Sequence, residues 1–467
     1  MVYQACTCGG APAARREDGQ AAAQLRRAGR ATVTSMAMDP VPVPSATTDA
    51  TAAAVAEAGA WFEENWSPEL SLGEWWDRLG RSGWGFPAWP EAWFGRGLSG
   101  STARAVITER NRRGAFGPPS GISTFLAAPT ILTYGTDDQK QRYLPGIATG
   151  RDVWCQLFSE PEAGSDMASL QTKAARDGDE WVITGQKVWS SGAQYARYGI
   201  LIARTDPDVP KHKGITYFLI DMDQPGVDVR PLREMTGEAA FNEVFFSEAR
   251  VADADRLGSL GEGWRVAMTT LSNERDPNNP GLGGGGGSLL GKPDLSMTVV
   301  AYQAQQAAEI DAFSFAISGG AGELFNRLVD RFGMSDHGVF RQRRAAVHTD
   351  RVTQRWTGQR AKANAKGGQP GPEVSTLKLG GSNVGRDLRN LGLQAMGPFG
   401  MLADSDAPEG GLFHKYALFV PATSIAGGSD EVQRNIISER ALGMPKEPDV
   451  SRDLPFSELR VSRRPES

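Results

Sequence analysis

At 467 residues the chain is long enough for two or three domains, and 40% hydrophobic residues are sufficient for a sizeable core. No run approaches the roughly 18 apolar residues of a membrane span, and 50 Lys plus Arg against 55 Asp plus Glu leave no basic excess to attract nucleic acid. Cys6, Cys8 and Cys155 cannot build a disulfide framework, and His212, His337, His348 and His414 lack metal-ligand spacing, which argues for a reducing cytoplasm and against a metal site.

Residues 1–50 are rich in Ala, Arg, Pro, Thr and Ser, and read as a disordered N-terminal extension. Met36 or Met38 is an alternative translation start. From 51 to 153 the spacing of Trp61, Phe62, Trp66, Leu70, Trp75, Trp76 and Leu79 predicts helices with buried aromatic faces. Within that region a helix should break at Gly135, with Thr136 capping the next one.

Between 154 and 262 the period changes to that of strands. Trp181-Val-Ile-Thr184, Ile200-Leu-Ile-Ala203, Ile215-Thr-Tyr-Phe-Leu-Ile220 and Val227-Asp-Val-Arg-Pro231 are each bounded by Gly, Asp or Pro. After Gly261-Glu-Gly-Trp264 helical spacing returns through Met268, Leu271, Val384, Leu388 and Leu391, so 263–446 reads as a helical bundle and 447–467 as a tail. Asp276-Pro-Asn-Asn-Pro280 should break the first helix of that region. The glycines of 281–287 contain a formal Gly-x-Gly-x-x-Gly, but no strand precedes and no clear helix follows, so a loop is the better reading than a dinucleotide fingerprint. Residues 293–320 fit no recognisable pattern; an insertion that reshapes a pocket and a surface hairpin both remain open.

Three segments carry chemical information: Cys155-Gln-Leu-Phe-Ser-Glu-Pro-Glu-Ala-Gly-Ser-Asp166, Gly185-Gln-Lys-Val-Trp-Ser-Ser191, and Gly427-Gly-Ser-Asp-Glu-Val-Gln-Arg-Asn-Ile-Ile-Ser-Glu-Arg440. In type and order they resemble the acyl-CoA dehydrogenase family. The resemblance implies an α+β architecture: an N-terminal helical domain, a middle β domain and a C-terminal four-helix-bundle domain. It further implies FAD as cofactor and oxidation of an acyl-CoA thioester to the 2-enoyl-CoA. Electrons would pass to an electron-transferring flavoprotein, in a homo-oligomer (dimer or tetramer) or a heteromer with a related subunit, with no nucleic acid or membrane partner.

A flavin ring needs hydrogen-bond donors along its edge and one open face. On the family pattern these contacts fall on Gln156, Phe158 and Ser159, and on Trp189 and Ser191, with the Ser191 hydroxyl beside N5. Ser165 falls where the family contacts the CoA moiety. A second protomer would contribute to the adenine and pyrophosphate through Gln394 and Gly397, and through Ser429 and Glu431. Pro398 replaces a glycine of that pattern and removes one backbone N–H. Arg331-Phe-Gly333 only faintly echoes another family motif.

The reaction requires a base for the α proton and polarisation of the thioester carbonyl. Much of the family places a glutamate where this chain has Gly427, but a second arrangement puts the base in a Leu-x-x-Glu-Arg sequence. Leu271-Ser-Asn-Glu274-Arg275 matches it, so the resemblance implies Glu274 as base, Arg275 beside the substrate and the Gly427 amide at the carbonyl. The loss of the usual glutamate also allows two other readings. One is a non-catalytic subunit that completes a FAD site in a heteromer; the other is an oxygen-reacting flavoenzyme of the same fold, either an oxidase or a monooxygenase-like relative.

Overall fold

Two runs of nearly continuous apolar residues decide the centre of the molecule, because a strand buried on both faces has no need to alternate with polar side chains. In the computed structural model, which describes residues 49–274, 291–308, 315, 320–364, 371, 374–449 and 451–459, these runs are β4 (Tyr198–Arg204) and β5 (Ile215–Asp221), paired antiparallel. Everything below concerns the compact unit that runs from Thr51 onward. Of the extension expected over 1–50, residues 1–48, with Met36 and Met38, lie outside the described residues, and Asp49 and Ala50 begin the first helix.

Around that pair the sheet adds β1 (Trp154–Leu157), β2 (Lys173–Asp177), β3 (Glu180–Lys187), β6 (Val227–Leu232) and β7 (Phe241–Ala252) in the order β1-β4-β2-β3-β7-β6, with β5 on β4. β1 runs parallel to β4, placing Gln156 opposite Ile200. Sequence patterning finds β3 through β6, but β2 and β7 carry too many polar residues for an alternation argument to isolate them.

Side-chain alternation assigns each face of the sheet. Trp154, Phe158, Ile200, Ile202, Tyr217 and Leu219 point to one side, where they pack on the N-terminal helices through Ile131, Tyr143, Leu144 and Ile147. Cys155, Leu157, Leu201, Ala203, Phe218 and Ile220 point to the other, against Trp181, Ile183, Val244 and Phe246. Burial pushes the free Cys155 thiol well above its ordinary range, so it behaves as a small apolar side chain.

The N-terminal helices are α1 (Asp49–Asn65), α2 (Leu72–Ser82), α3 (Gly100–Arg112), α4 (Ala128–Tyr134) and α5 (Asp137–Ala148). As expected, α4 ends at Gly135 and Thr136 caps α5, in a reciprocal capping box with Gln139. Phe62, Trp75, Trp76 and Leu79 are fully in the core, whereas Trp61, Trp66 and Leu70 are half-buried around it. The Trp75 and Trp76 indole N–H groups donate to the carbonyls of Phe116 and Gly117 at 3.0 and 2.9 Å, which satisfies both buried rings.

After the sheet, α6 (Gly263–Glu274) returns across the Tyr217 face. Residues 275–290, including Arg275, the Asp276–Pro280 break and the glycine run, lie outside the described residues. The chain resumes at Gly291. Leu295 and α7 (Val299–Ala308) pack on the N-terminal core through Val299 and Tyr302, with Leu72 and Gly73 donating to the carbonyls of Met297 and Leu295. This described part of the unplaced 293–320 segment is therefore a docked element of the N-terminal domain and not a free hairpin. The chain continues as α8 (Gly320–Arg331), α9 (Gly338–Asn364), α10 (Val374–Met396) and α11 (Leu412–Thr423) around Leu324, Phe325, Leu328, Phe340, Leu388, Leu391, Phe413 and Val420, followed by the short α12 (Asp430–Ile436). The helix, sheet, helix order is the α+β architecture expected from the sequence.

The tail returns to the sheet. Phe456 N–H donates to the Val209 carbonyl at 2.9 Å, and the Arg204 guanidinium sits 3.4 Å from the Phe456 ring centroid. Among the described residues no helix is long and apolar enough to cross a membrane.

Candidate active site

β1 and β3 end side by side, and their exits carry the residues singled out for a ring-shaped cofactor. The Val188 N–H donates to the Ser159 carbonyl at 2.9 Å, which brings Gln156, Phe158 and Ser159 next to Trp189 and Ser191. By alternation Gln156 shares the face of Trp154 and Phe158, the side that α6 covers. Its side-chain Nε2 is buried and, among the described residues, has no hydrogen-bond partner. A buried amide donor with no partner is costly, on the order of 1–3 kcal/mol, and marks a place where a ligand acceptor fits.

The β3 exit turns sharply. Trp189 adopts φ 61°, a left-handed conformation rare for a bulky residue, and its indole is 60% exposed while meeting Phe241 edge-on at 5.9 Å. Asn242 holds the turn: it donates through Nδ2 to the Ser190 carbonyl at 2.9 Å and hydrogen-bonds Gln194, while the Ser190 N–H donates to the Asn242 carbonyl. Ser190 is fully buried and Ser191 partly exposed, so of the two hydroxyls Ser191 faces the accessible side. Asn242 carries no motif signature, and sequence reasoning missed it.

The loop that follows β1 is anchored twice. Glu160 accepts from the backbone N–H groups of Gln171 and Thr172 at 2.6 and 2.9 Å and from Lys187 Nζ at 2.8 Å. Arg204, buried beneath the loop, donates to the carbonyls of Ala168 and Leu170, and burial lowers its guanidinium to about 10. Ser165 lies exposed at the apex, beside an Asp166–Lys211 ion pair of 2.9 Å.

Gly185 makes this arrangement sterically feasible. One residue of β3, Thr184, faces two of β7 there, Ser247 and Glu248, with Glu248 at φ 60° in the bulge. At φ 152° a Cβ on Gly185 would stand 2.6–2.9 Å from Thr172, whose N–H is one of the Glu160 anchors.

α6 is pinned by hydroxyls. Thr270 Oγ1 lies 2.9 Å from Thr130 Oγ1 and 3.1 Å from the Tyr217 hydroxyl, and all three residues are fully buried; Tyr134 and Thr269 add a 2.8 Å contact at the edge. Burial keeps the Tyr217 phenol protonated at ordinary pH. Glu274 is the last residue of this helix, one turn beyond Thr270.

The remaining residues belong to the helical bundle. Gly427 and Gly428, at φ 65° and 88°, make the turn into α12, and buried Gln433 donates to the Gly427 carbonyl at 3.0 Å. Ser429 is the N-cap of α12 and accepts from Val432. Ser429 and Glu431 line an open cavity of about 480 Å³ with Arg386, Arg389 and Arg434. Burial would raise the Asp430 carboxyl on the same wall, but hydrogen bonds from Arg386, Lys378 and Ser382 outweigh it and hold it at about 2.

Gln394 lies in the last turn of α10 and Gly397 just beyond it, and neither lines this cavity; Gln394 accepts from Arg343 at 3.1 Å. Pro398 occupies the first turn of a short 3-10 helix, where its missing N–H has no helical partner to lose. Arg331-Phe-Gly333 is the C-terminal turn of α8, with Phe332 against Phe399, and it does not reach the cavity. The structure thus brings together two groups: the strand exits with α6 on one side, and the arginine-lined cavity on the other. Sequence reasoning singled out Ser429 and Glu431 but not Arg386 or Arg389, which share the cavity wall with them and occupy ordinary positions on a helix.

Comparison with known proteins follows the same division. Residues 45–151, 155–249 and 326–442 match the descriptions "Acyl-CoA dehydrogenase, N-terminal domain", "middle domain" and "C-terminal domain". The chain is 38% identical over 384 residues to Acyl-CoA dehydrogenase IpdE1 of Mycobacterium tuberculosis, covering 80% of this chain and 88% of that protein. It is also 38% identical over 404 residues to Acyl-CoA dehydrogenase FadE34 of the same organism, where 85% of this chain matches about half (48%) of the relative. Among solved structures it resembles a Tcur3481-Tcur3483 steroid ACAD with a TM-score of 0.64 and 28% identity, covering 85% of this chain and 98% of that one. The ChsE4-ChsE5 complex from Mycobacterium tuberculosis is similar at a TM-score of 0.60 and 27% identity, over 86% and 99% of the two chains.

Proposed function

The chain belongs to the acyl-CoA dehydrogenase family, and we propose that it is a FAD-dependent enzyme that converts an acyl-CoA thioester to the 2-enoyl-CoA and passes electrons to an electron-transferring flavoprotein. The observation that carries the reading is the meeting of the β1 and β3 exits, Gln156–Ser159 with Trp189–Ser191, with Phe158 on the face of the sheet covered by α6. The unpartnered Gln156 donor and the partly exposed Ser191 hydroxyl suit the acceptor edge of a flavin ring.

In this reading Gln156, Phe158, Ser159, Trp189 and Ser191 seat the ring, and the Trp189 indole shields one side of it. The arginine-lined cavity with Ser429 and Glu431 receives the adenine and pyrophosphate end of a FAD whose ring is held by a neighbouring subunit, and Gln394 and Gly397, outside that cavity but on the same bundle, meet the cofactor separately. Bound FAD supplies the acceptor for the β-carbon hydride. Glu274 takes the α proton, the Gly427 amide polarises the thioester carbonyl, Ser165 meets the CoA moiety and Arg275 stands beside the substrate. The likeness to a structure described as a steroid ACAD makes a bulky polycyclic acyl-CoA the first substrate to test.

Anaerobic mixing of FAD-loaded protein with short, long, branched and steroid-derived acyl-CoAs tests this, with flavin bleaching as the signal. Bleaching in the wild type should slow about 10²–10⁴-fold in Glu274→Gln, the usual contribution of a positioned base. A FAD-loaded protein that no thioester bleaches overturns the dehydrogenase reading. It would favour a heteromer in which this chain completes a partner's site, a reading supported by Gly427 standing where much of the family has glutamate, and by neighbours described as two-protein assemblies.

A further inference from the structure

Lys187 is 0% exposed and Glu160 7%, and together they form a buried ion pair in the described unit that no step of the proposed chemistry uses. Burying two charges costs several kcal/mol per ion, and a well-packed apolar pair often folds as well or better, so such a pair is poor support for stability alone. Its connections point elsewhere. Lys187 is the last residue of β3, and its ammonium donates both to Glu160 at 2.8 Å and to the Phe158 carbonyl at 3.0 Å.

One side chain on the β3 exit therefore grips the backbone of the β1 exit. The next residue, Val188, repeats the grip through its N–H to the Ser159 carbonyl at 2.9 Å, and Trp189 then takes its left-handed turn. On the other side, Glu160 uses both oxygens on the Gln171 and Thr172 amides, so the loop carrying Ser165 closes on the same carboxylate. Burial lowers the Lys187 ammonium and the Glu160 charge opposes that shift.

We propose that the Glu160–Lys187 pair is a positioning clamp for the flavin: it fixes the β1 exit, the β3 exit and the Ser165 loop relative to one another, so that the residues from Gln156 to Ser159 and from Trp189 to Ser191 form one rigid seat. This rests on the flavin reading given above. Because the two charges cancel inside the clamp, it orders the seat without adding net charge beneath the ring.

The test compares wild type with Lys187→Met, Glu160→Gln and the double variant, following FAD dissociation, the flavin absorption spectrum and melting of the FAD-free protein. Either single change strands one buried charge and can unfold the domain, so the charge-free double variant carries the test. Its FAD-free form should still fold cooperatively but melt below wild type, because the introduced amide can accept from only one of the Gln171 and Thr172 N–H groups. Its FAD dissociation constant should rise at least tenfold, and the fine structure of its flavin band should blur, because an unclamped seat holds the ring in several poses. A double variant that binds FAD within twofold of wild type with an unchanged spectrum overturns the clamp and leaves the flavin reading standing. Wild-type protein that retains no FAD overturns the flavin reading and the clamp with it.

Discussion

Replacing Thr270 by valine, which has nearly the same shape, separates the hydroxyl network of α6 from the packing around it. Thr270 Oγ1 contacts Thr130 at 2.9 Å, the Tyr217 hydroxyl at 3.1 Å and the Val266 carbonyl at 3.1 Å, and Thr130 also donates to the Leu126 carbonyl at 2.6 Å. Valine removes that oxygen and creates almost no cavity. The loss is about one net hydrogen bond, on the order of 1 kcal/mol, plus part of the desolvation cost of a Tyr217 hydroxyl left to share Thr130; together roughly 1–2 kcal/mol. Tyr217→Phe removes the stranded group instead and should cost about 1 kcal/mol, since Thr270 keeps two partners. Because both changes act on one network, the double variant should cost less than the sum of the singles by more than about 0.5 kcal/mol. Urea unfolding followed by near-UV circular dichroism measures all three. Strictly additive losses would refute the reasoning, because they would mean that the hydroxyls stabilise α6 independently and that Thr270 is not the shared node.

Gly185→Ala should destabilise the sheet domain by roughly 1–3 kcal/mol, since the new methyl must enter the space of Thr172 at a strained φ; a melting temperature equal to wild type would exclude this. Asp430 has its folded carboxyl depressed to about 2, so its stabilising contribution is complete above its unfolded value near 4 and is lost as pH falls from about 5 towards 2. Asp430→Asn should remove about 1–2 kcal/mol at neutral pH and flatten the acid limb of the stability profile. An unchanged limb would locate acid sensitivity elsewhere. Arg389→Ala should weaken FAD retention about tenfold in low salt and less in high salt, because the cavity sets three arginines against two carboxylates. Equal retention at every ionic strength would show that the cavity does not meet a phosphate.

The legible parts of this chain were those where one physical requirement acts alone. Ile200–Ala203 and Ile215–Ile220 announce strands because only a doubly buried strand is that apolar, and the Gly135–Thr136 boundary is visible because a break and a capping hydroxyl adjoin. Lys173–Asp177 was not legible: it is a largely polar strand ordered by its neighbours. Lys187 was equally opaque, since nothing in a lone lysine states that it will be fully buried, and its carboxylate partner lies 27 positions upstream. The docking of Leu295 and α7 depends on the exposed backbone between α1 and α2, a long-range pairing that local spacing does not encode.

The two groups of candidate residues differ in charge in a way that matches the two ends of a dinucleotide cofactor. At the strand exits the Glu160 and Lys187 charges cancel within their pair, the buried Arg204 is turned to the carbonyls of the following loop, and the side chains singled out for the ring are neutral: the Gln156 amide, the Ser191 hydroxyl and the Trp189 indole. A polarisable ring whose electron density changes on reduction is better served by fixed neutral dipoles than by a free charge, which would bind one oxidation state at the expense of the other. The bundle cavity is different. Arg386 shares Asp430 with Lys378, and Arg434 pairs with Glu431 at 3.4 Å, whereas Arg389 bonds the neutral Asn390, so among the described residues lining the cavity the positive charges exceed the negative. A surplus of cations beside an open cavity suits a phosphate. If FAD spans both kinds of site, ring binding and phosphate binding should respond to different perturbations. The clamp variants would then act on the spectrum and dissociation together, while Arg389→Ala would change dissociation and its salt dependence without altering the spectrum.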